Sequence, residues 1–132
     1  MKRTLQPGLV ANRRVTVDRA RTIDFLGESL RVYATPRLIE DFESTCRDFL
    51  LQYVDAGEDS VGTEVSVTHS GATLLGMAVD ISVTIAEVNG RHVAFELVAW
   101  DAAEEISRGR HSRFVVGIAK LRERVAAKAQ SL

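Results

Sequence analysis

The chain has 132 residues, 45% of them hydrophobic and 27% charged, with a formal net charge of −1. That is the size and make-up of one ordinary globular domain, read here as a single unit over residues 1–132; the near-neutral charge argues against a nucleic-acid partner, and no apolar run is long enough to span a membrane. The lone cysteine, Cys46, excludes an intrachain disulfide, and the opening MKRTLQPGLVA lacks the apolar stretch of a secretory signal, which together suit a reducing cytoplasm.

Residues 1–8 read as loose chain ending in a Pro7-Gly8 turn, and residues 9–17 as a first strand carrying Val10, Val15 and Val17. Residues 22–26 (TIDFL) are a short strand-like piece broken by Gly27, and residues 30–34 run extended toward Thr35. A helix is predicted from Thr35 to about residue 54. Thr35 suits an N-cap, whose side-chain oxygen accepts from the free N–H groups of the first turn. Pro36 suits the first helical position, where no N–H is needed, and it biases Thr35 itself toward an extended conformation. Leu38, Ile39, Phe42, Cys46, Phe49, Leu50, Tyr53 and Val54 recur at three- and four-residue spacing as one apolar stripe. Arg37, Glu40, Asp41, Arg47 and Asp48 fall outside that stripe, whereas Glu43 projects inside it. Gly57 is the predicted helix stop.

Residues 61–69 follow as a strand. With a period of two, Val61, Thr63, Val65, Val67 and His69 share one face and Gly62, Glu64, Ser66 and Thr68 the other. The valines mark the first face as the core side. After a bend of small residues come a strand at 77–88, an Asn89-Gly90 hairpin turn, a strand at 91–100, a turn at 101–104 and a strand at 105–118. Residues 120–131 form a short basic helix or a tail. The order is strand, long helix, then four strands as a meander. Short antiparallel connections exclude a parallel βαβ fold and place the chain in the α+β class. The sheet must curl around the helix to cover it, and two copies are expected to pair and complete the core.

A carboxylate on a buried stripe costs free energy unless it is paired or hydrogen-bonded. Glu43 and His69 both aim at one helix–sheet interface, which is more often chemistry than packing. There is no GxSxG elbow and no metal-ligand spacing. Cys46 reads as a small core side chain, and His92 and His111 as surface residues.

Thr35 … Glu43 … Gly62-Thr63 … Val67-Thr68-His69-x-x-Ala72-Thr73-x-x-Gly76 resembles the fluoroacetyl-CoA thioesterase family of the hotdog fold, over residues 33–116. The resemblance implies a curled antiparallel sheet wrapped around one long central helix, a homodimer or a tetramer, and hydrolysis of an acyl-CoA. It places Thr35, Glu43 and His69 on the family's catalytic threonine, glutamate and histidine. Gly62 falls on a glycine whose N–H meets the thioester carbonyl. Gly109-x-His111-x-Arg113 falls on a stretch whose arginine stands at the mouth of the site. The alternatives for Thr35 and Arg113 are a plain cap and a solvated strand arginine. Phe42, with Cys46, Leu74, Leu75 and Met77, is a candidate lining for the acyl pocket. No cofactor is implied beyond the CoA of the substrate. Two departures stand out: Leu74-Leu75 replaces prolines in the bend, and GESLRVYA, where the fluoroacetate-specific member has a phenylalanine-rich lid, holds Tyr33 as its only aromatic. The expected substrate is therefore another small or medium acyl-CoA. The competing reading is a hotdog module that binds an acyl-thioester without cleaving it; a hydratase would need a different acid–histidine arrangement.

Overall fold

The structure, a computed structural model, describes residues Met1 to Leu132. Its elements are β1 (Val10–Thr16), α1 (Thr35–Leu51), β2 (Glu58–His69), β3 (Ala78–Asn89), β4 (His92–Trp100), β5 (Glu105–Gly117) and α2 (Ile118–Gln130). Short 3-10 turns at Arg19–Arg21 and Glu28–Leu30 punctuate the segment between β1 and α1. The five strands form one antiparallel sheet in the order β1-β3-β4-β5-β2. The predicted meander therefore holds only for β3-β4-β5. β2 does not join β3: the bend between His69 and Ala78 carries the chain past β5 and β4, so that β2 closes one edge and β1 the other.

Along β3 the period of two holds up to Ile85, where a bulge at Ala86 interrupts it, and β4 follows it apart from the additionally buried Ala94. Val79, Ile81, Val83 and Ile85, with Val93, Phe95, Leu97 and Ala99, present one apolar face. Leu38, Phe42, Cys46, Phe49 and Leu50 of α1 fill it, and Val115 extends it onto β5. Each such side chain fully buried contributes about 1.5–3 kcal/mol relative to exposure. The helix ends at Leu51, short of the predicted 54, yet Tyr53 and Val54 still pack against the core from the loop. Gly57 is left outside the helix, where its φ of +82° turns the chain into β2.

β2 breaks the simple alternation expected of it. A bulge lies between Gly62 and Glu64, with Thr63 the extra residue. Directly opposed residues of an antiparallel pair share a face. Gly62 opposes Arg113, Val65 opposes His111, Val67 opposes Gly109 and His69 opposes Ser107. Gly62 is thus on the helix side together with Val65, Val67 and His69, while Val61 and Thr63 turn outward beside Phe114. Gly109 is obligatory in this ladder, because a Cβ there would lie 2.1 Å from the Ser66 carbonyl oxygen.

The outer side of β2 has no strand partner, and most of its side chains are open to solvent. The C-terminal segment forms a true helix, α2, which buries none of its residues; Leu121 and Val125 lean over Val61, Phe114 and Val116 on the outer face. No helix is long and apolar enough to cross a membrane.

Candidate active site

The first functional pair forms where α1 begins. Ala34, extended at φ −76° and ψ 134°, is the N-cap, and no side chain caps the helix. Thr35 is instead the first helical residue, with Pro36 second, so the expected cap role is corrected by one position. The Thr35 hydroxyl is engaged elsewhere: its Oγ1 lies 2.7 Å from His69 Nδ1. This joins the N-terminus of α1 to the C-terminal end of β2. The aligned amide dipoles of α1 make that end partially positive, which favours developing negative charge beside Thr35.

His69 meets the Tyr33 ring edge-on, with centroids 6.2 Å apart and planes at 82°. Its Nε2 is buried and has no hydrogen-bond partner. Burial pushes the imidazole below its ordinary pKa, partly offset by the nearby Gly71 backbone. The ring is therefore neutral at neutral pH and can move a proton. The pair opens onto a cavity of about 320 Å³ whose apolar walls include Ile23, Phe25, Val32 and Ala72. Phe25, 75% exposed, is an aromatic at this cavity that the sequence reading of the lid did not include.

A second cluster lies farther along α1. Glu43 is half-buried on the inner arc and makes no hydrogen bond to Thr35 or His69. Its eight-residue offset from Thr35 corresponds to about 12 Å along the helix. A Cβ on Gly62 would sit 3.2 Å from His111 Cε1, 3.5 Å from Arg113 Nη1 and 3.7 Å from Glu43 Oε1. Glycine at this position keeps a niche open among the three.

Arg113 is 5% exposed, not solvated. Its Nε donates to Ser60 Oγ at 2.7 Å, its Nη2 to the Ser60 carbonyl at 2.9 Å, and its Nη1 lies 3.1 Å from His111 Nε2. His111, expected at the surface, is 1% exposed. Its Nδ1 lies 2.7 Å from the Glu64 carbonyl, which can only accept, so Nδ1 carries the proton and Nε2 accepts from Arg113. Burial lowers the His111 pKa and the Arg113 charge lowers it further, against the pull of the Glu64 carbonyl. Phe42 is 0% exposed within the core cluster; with no open surface in this chain, it packs the core and does not line an open pocket.

Within one chain, then, the structure brings together Thr35 with His69, and separately Glu43 with Gly62 and Arg113. Sequence reasoning missed Tyr33, Asp41, Ser60 and His111 as parts of these surroundings. For His111 a signal existed: it shares the period-two face of Arg113 and Val115.

A curled antiparallel sheet around a central helix, with polar groups set into the helix–sheet interface, is the hotdog fold of the thioesterases. Residues 17–119 match the family model of the fluoroacetyl-CoA-specific thioesterase, FlK. The fluoroacetyl-CoA thioesterase of Streptantibioticus cattleyicolor is 33% identical over 97 residues, covering 74% of this chain and 70% of that protein. A mutant of FlK superposes with a TM-score of 0.88 at 28% identity, over 96% of this chain and 99% of that one. A thioesterase superfamily member from Thermus thermophilus, 24% identical, shares the fold with a TM-score of 0.85 over 98% of this chain and 99% of that one. The chain belongs to the FlK family of thioester hydrolases, as the Thr35-to-Gly76 pattern implied.

Proposed function

We propose that the protein hydrolyses a small or medium acyl-CoA thioester to a free acid and CoA. The observation that carries this reading is the Thr35–His69 hydrogen bond at the positive end of α1, with His69 Nε2 buried and unpartnered beside an apolar cavity. An FlK mutant whose structure was solved with acetyl-CoA, 27% identical with a TM-score of 0.86 over 94% of this chain and 98% of that one, supports a CoA thioester as the ligand class.

The free edge of β2 supplies the missing proximity. Antiparallel pairing of this free edge with the same edge of a second copy about a two-fold axis would bring the His69 end of one β2 toward the Gly62 end of the other. Each site of this homodimer is composite: Thr35 and His69 from one copy, Glu43, Gly62 and Arg113 from the other. Glu43 acts as general base and takes a proton from water, whose oxygen attacks the thioester carbonyl. The Gly62 N–H and the amide dipoles of α1 stabilise the oxyanion. When the intermediate collapses the C–S bond breaks, and the departing thiolate takes the proton that Glu43 removed from water, while the neutral His69 ring, held by Thr35, donates a hydrogen bond from Nε2 to the reacting group and keeps its proton. No cofactor is required beyond the CoA of the substrate, and a buried, free Cys46 suits a cytoplasmic setting.

The test is free-thiol release from a panel of acyl-CoAs, fluoroacetyl-CoA included, with wild type beside Glu43→Gln. Release from one acyl class, reduced at least ~100-fold in the variant, is the expected result. Tight binding of an acyl-CoA without any release would make the protein a binding module instead.

A further inference from the structure

Beside the Thr35–His69 pair lies a half-buried ionic cluster that the proposed reaction does not use. Asp41, on the flank of the apolar stripe of α1 beside Leu38, is 9% exposed. Arg21 grips its carboxylate with two bonds, Nε to Oδ2 at 2.9 Å and Nη2 to Oδ1 at 3.1 Å. The Tyr33 hydroxyl donates to the same Oδ2. The third Arg21 nitrogen, Nη1, reaches Asp18 Oδ2 at 2.8 Å. A buried carboxylate is costly unless several donors satisfy it, and a bidentate guanidinium with a phenol does so. The Tyr33 phenol is pushed up first by burial and then by Asp41, so it stays protonated and remains a donor.

These three residues belong to parts of the chain that meet at the candidate site. Arg21 opens the segment 19–34 that covers the start of α1, and its carbonyl accepts the N–H of Ala34, the residue before Thr35, at 2.8 Å. Tyr33 closes that segment, donates its N–H to the Thr73 carbonyl at 2.8 Å, and sets its ring against the His69 imidazole. No carboxylate bonds to His69, whose one side-chain hydrogen bond is to Thr35. The orientation of the imidazole therefore rests on the Thr35 hydroxyl and the Tyr33 ring. Asp41 holds that ring in place and, through Arg21, the segment that carries it.

We propose that Asp41 is a positioning residue for the Thr35–His69 pair, acting through Tyr33 and Arg21 to keep the covering segment docked on α1 and the imidazole turned toward Thr35. This rests on the reading of Thr35 and His69 as the reacting pair. An Arg21–Asp41 ion pair alone would suffice for a purely structural clamp; the Tyr33 hydroxyl on the same oxygen links the clamp to the ring beside His69.

The experiment compares wild type, Asp41→Asn, Tyr33→Phe and, as control, Asp48→Asn, which removes an exposed ion pair with Arg13 on the same helix. Three quantities are read: kcat and KM on an acyl-CoA that wild type hydrolyses, Tm, and the His69 ring-proton resonances without substrate. Asp41→Asn is expected to lower kcat about tenfold or more, since small misplacements of reacting groups are costly. KM should stay within about twofold, because the loss falls on the transition state, and the His69 resonances should shift. Tyr33→Phe moves both in the same direction by less, and Asp48→Asn moves neither. Unshifted His69 resonances or wild-type kcat in folded Asp41→Asn, whatever its Tm, overturns the proposal. If Asp41→Asn does not fold, Tyr33→Phe decides by the same two readouts. If wild type cleaves no acyl-CoA, the reacting-pair reading fails, and the resonances alone decide whether Asp41 holds the ring.

Discussion

Two buried histidines set the behaviour of the molecule at the scale of single residues. Burial holds His69 and His111 below their ordinary pKa of 6.5. Between the two states, the unfolded chain takes up these protons first. The stability the rings contribute is thus complete above about pH 6.5 and is lost as pH falls below it. Glu58, held down to about 2 by the Asp55 N–H and then by the N-terminal ammonium, acts in a lower window: its contribution is complete above the ordinary carboxylate range and is lost as pH falls toward 2. The expected outcome is a Tm that declines between pH 7 and pH 5. In His111→Gln, whose amide can still donate to Glu64 and accept from Arg113, the decline should be shallower; identical slopes would remove His111 from the account. For Thr35, the hydroxyl bonds His69 and does not cap the helix. Thr35→Ser should therefore retain most of the turnover that Thr35→Ala loses, with Tm nearly equal in the two; equal turnover would reduce Thr35 to a packing residue. Glu43 and His69 were legible in the sequence because each is a polar group on an otherwise apolar face. Asp41 was not. The helical wheel places it outside the stripe, as the structure confirms, but the segment 19–34 folds over that side and buries it. Nothing in the spacing of α1 encodes what another segment does.

At the scale of elements, β3, β4 and their turn were readable because Val79 to Ile85 and Val93 to Ala99 alternate along most of their length and the Asn89-Gly90 signal is local. The loop itself is Gly90-Arg91, with Asn89 pairing His92 as the last ladder rung. The order of strands was not readable, since short loops favour neighbours and only the longer bend after His69 permits β2 to reach β5. The bulge in β2 was also hidden. One extra residue leaves no mark on composition, yet it turns Gly62 toward Glu43 and Arg113 and sends Val61 outward. α1 was found with nearly its full length, but the role given to Phe42 changes. With no exposed surface, it belongs to the core. Phe42→Ala should cost roughly 3–5 kcal/mol of stability, the range for a large aromatic removed from a packed core, measured by chemical denaturation. A variant of unchanged stability but altered acyl-chain preference would return Phe42 to the pocket.

At the scale of the whole molecule, one chain holds two separate polar clusters. His69 sits at one end of β2 and Gly62, opposite Arg113, about 20 Å away along the strands, six residues of β5 at about 3.4 Å each, while Glu43 stands about 12 Å along α1 from Thr35. The same distance explains why a fold legible in the sequence did not by itself yield the site: spacing along a helix or strand fixes faces, not which copy of the chain completes them. An unpaired twelve-residue edge strand is also a liability that natural proteins cover or pair, and the proposed pairing of β2 with β2 would cover it.

Subunit complementation tests the composite site most directly. Glu43→Gln and His69→Ala are purified separately, mixed, allowed to exchange subunits, and assayed for thiol release. Each mixed dimer contains one site with both residues intact and one site lacking both. Activity should therefore rise from near zero in either variant to about a quarter of wild type at random exchange, as two-fold symmetry requires. Exchanged subunits with no recovered activity would place Glu43 and His69 in the same copy and contradict the composite site.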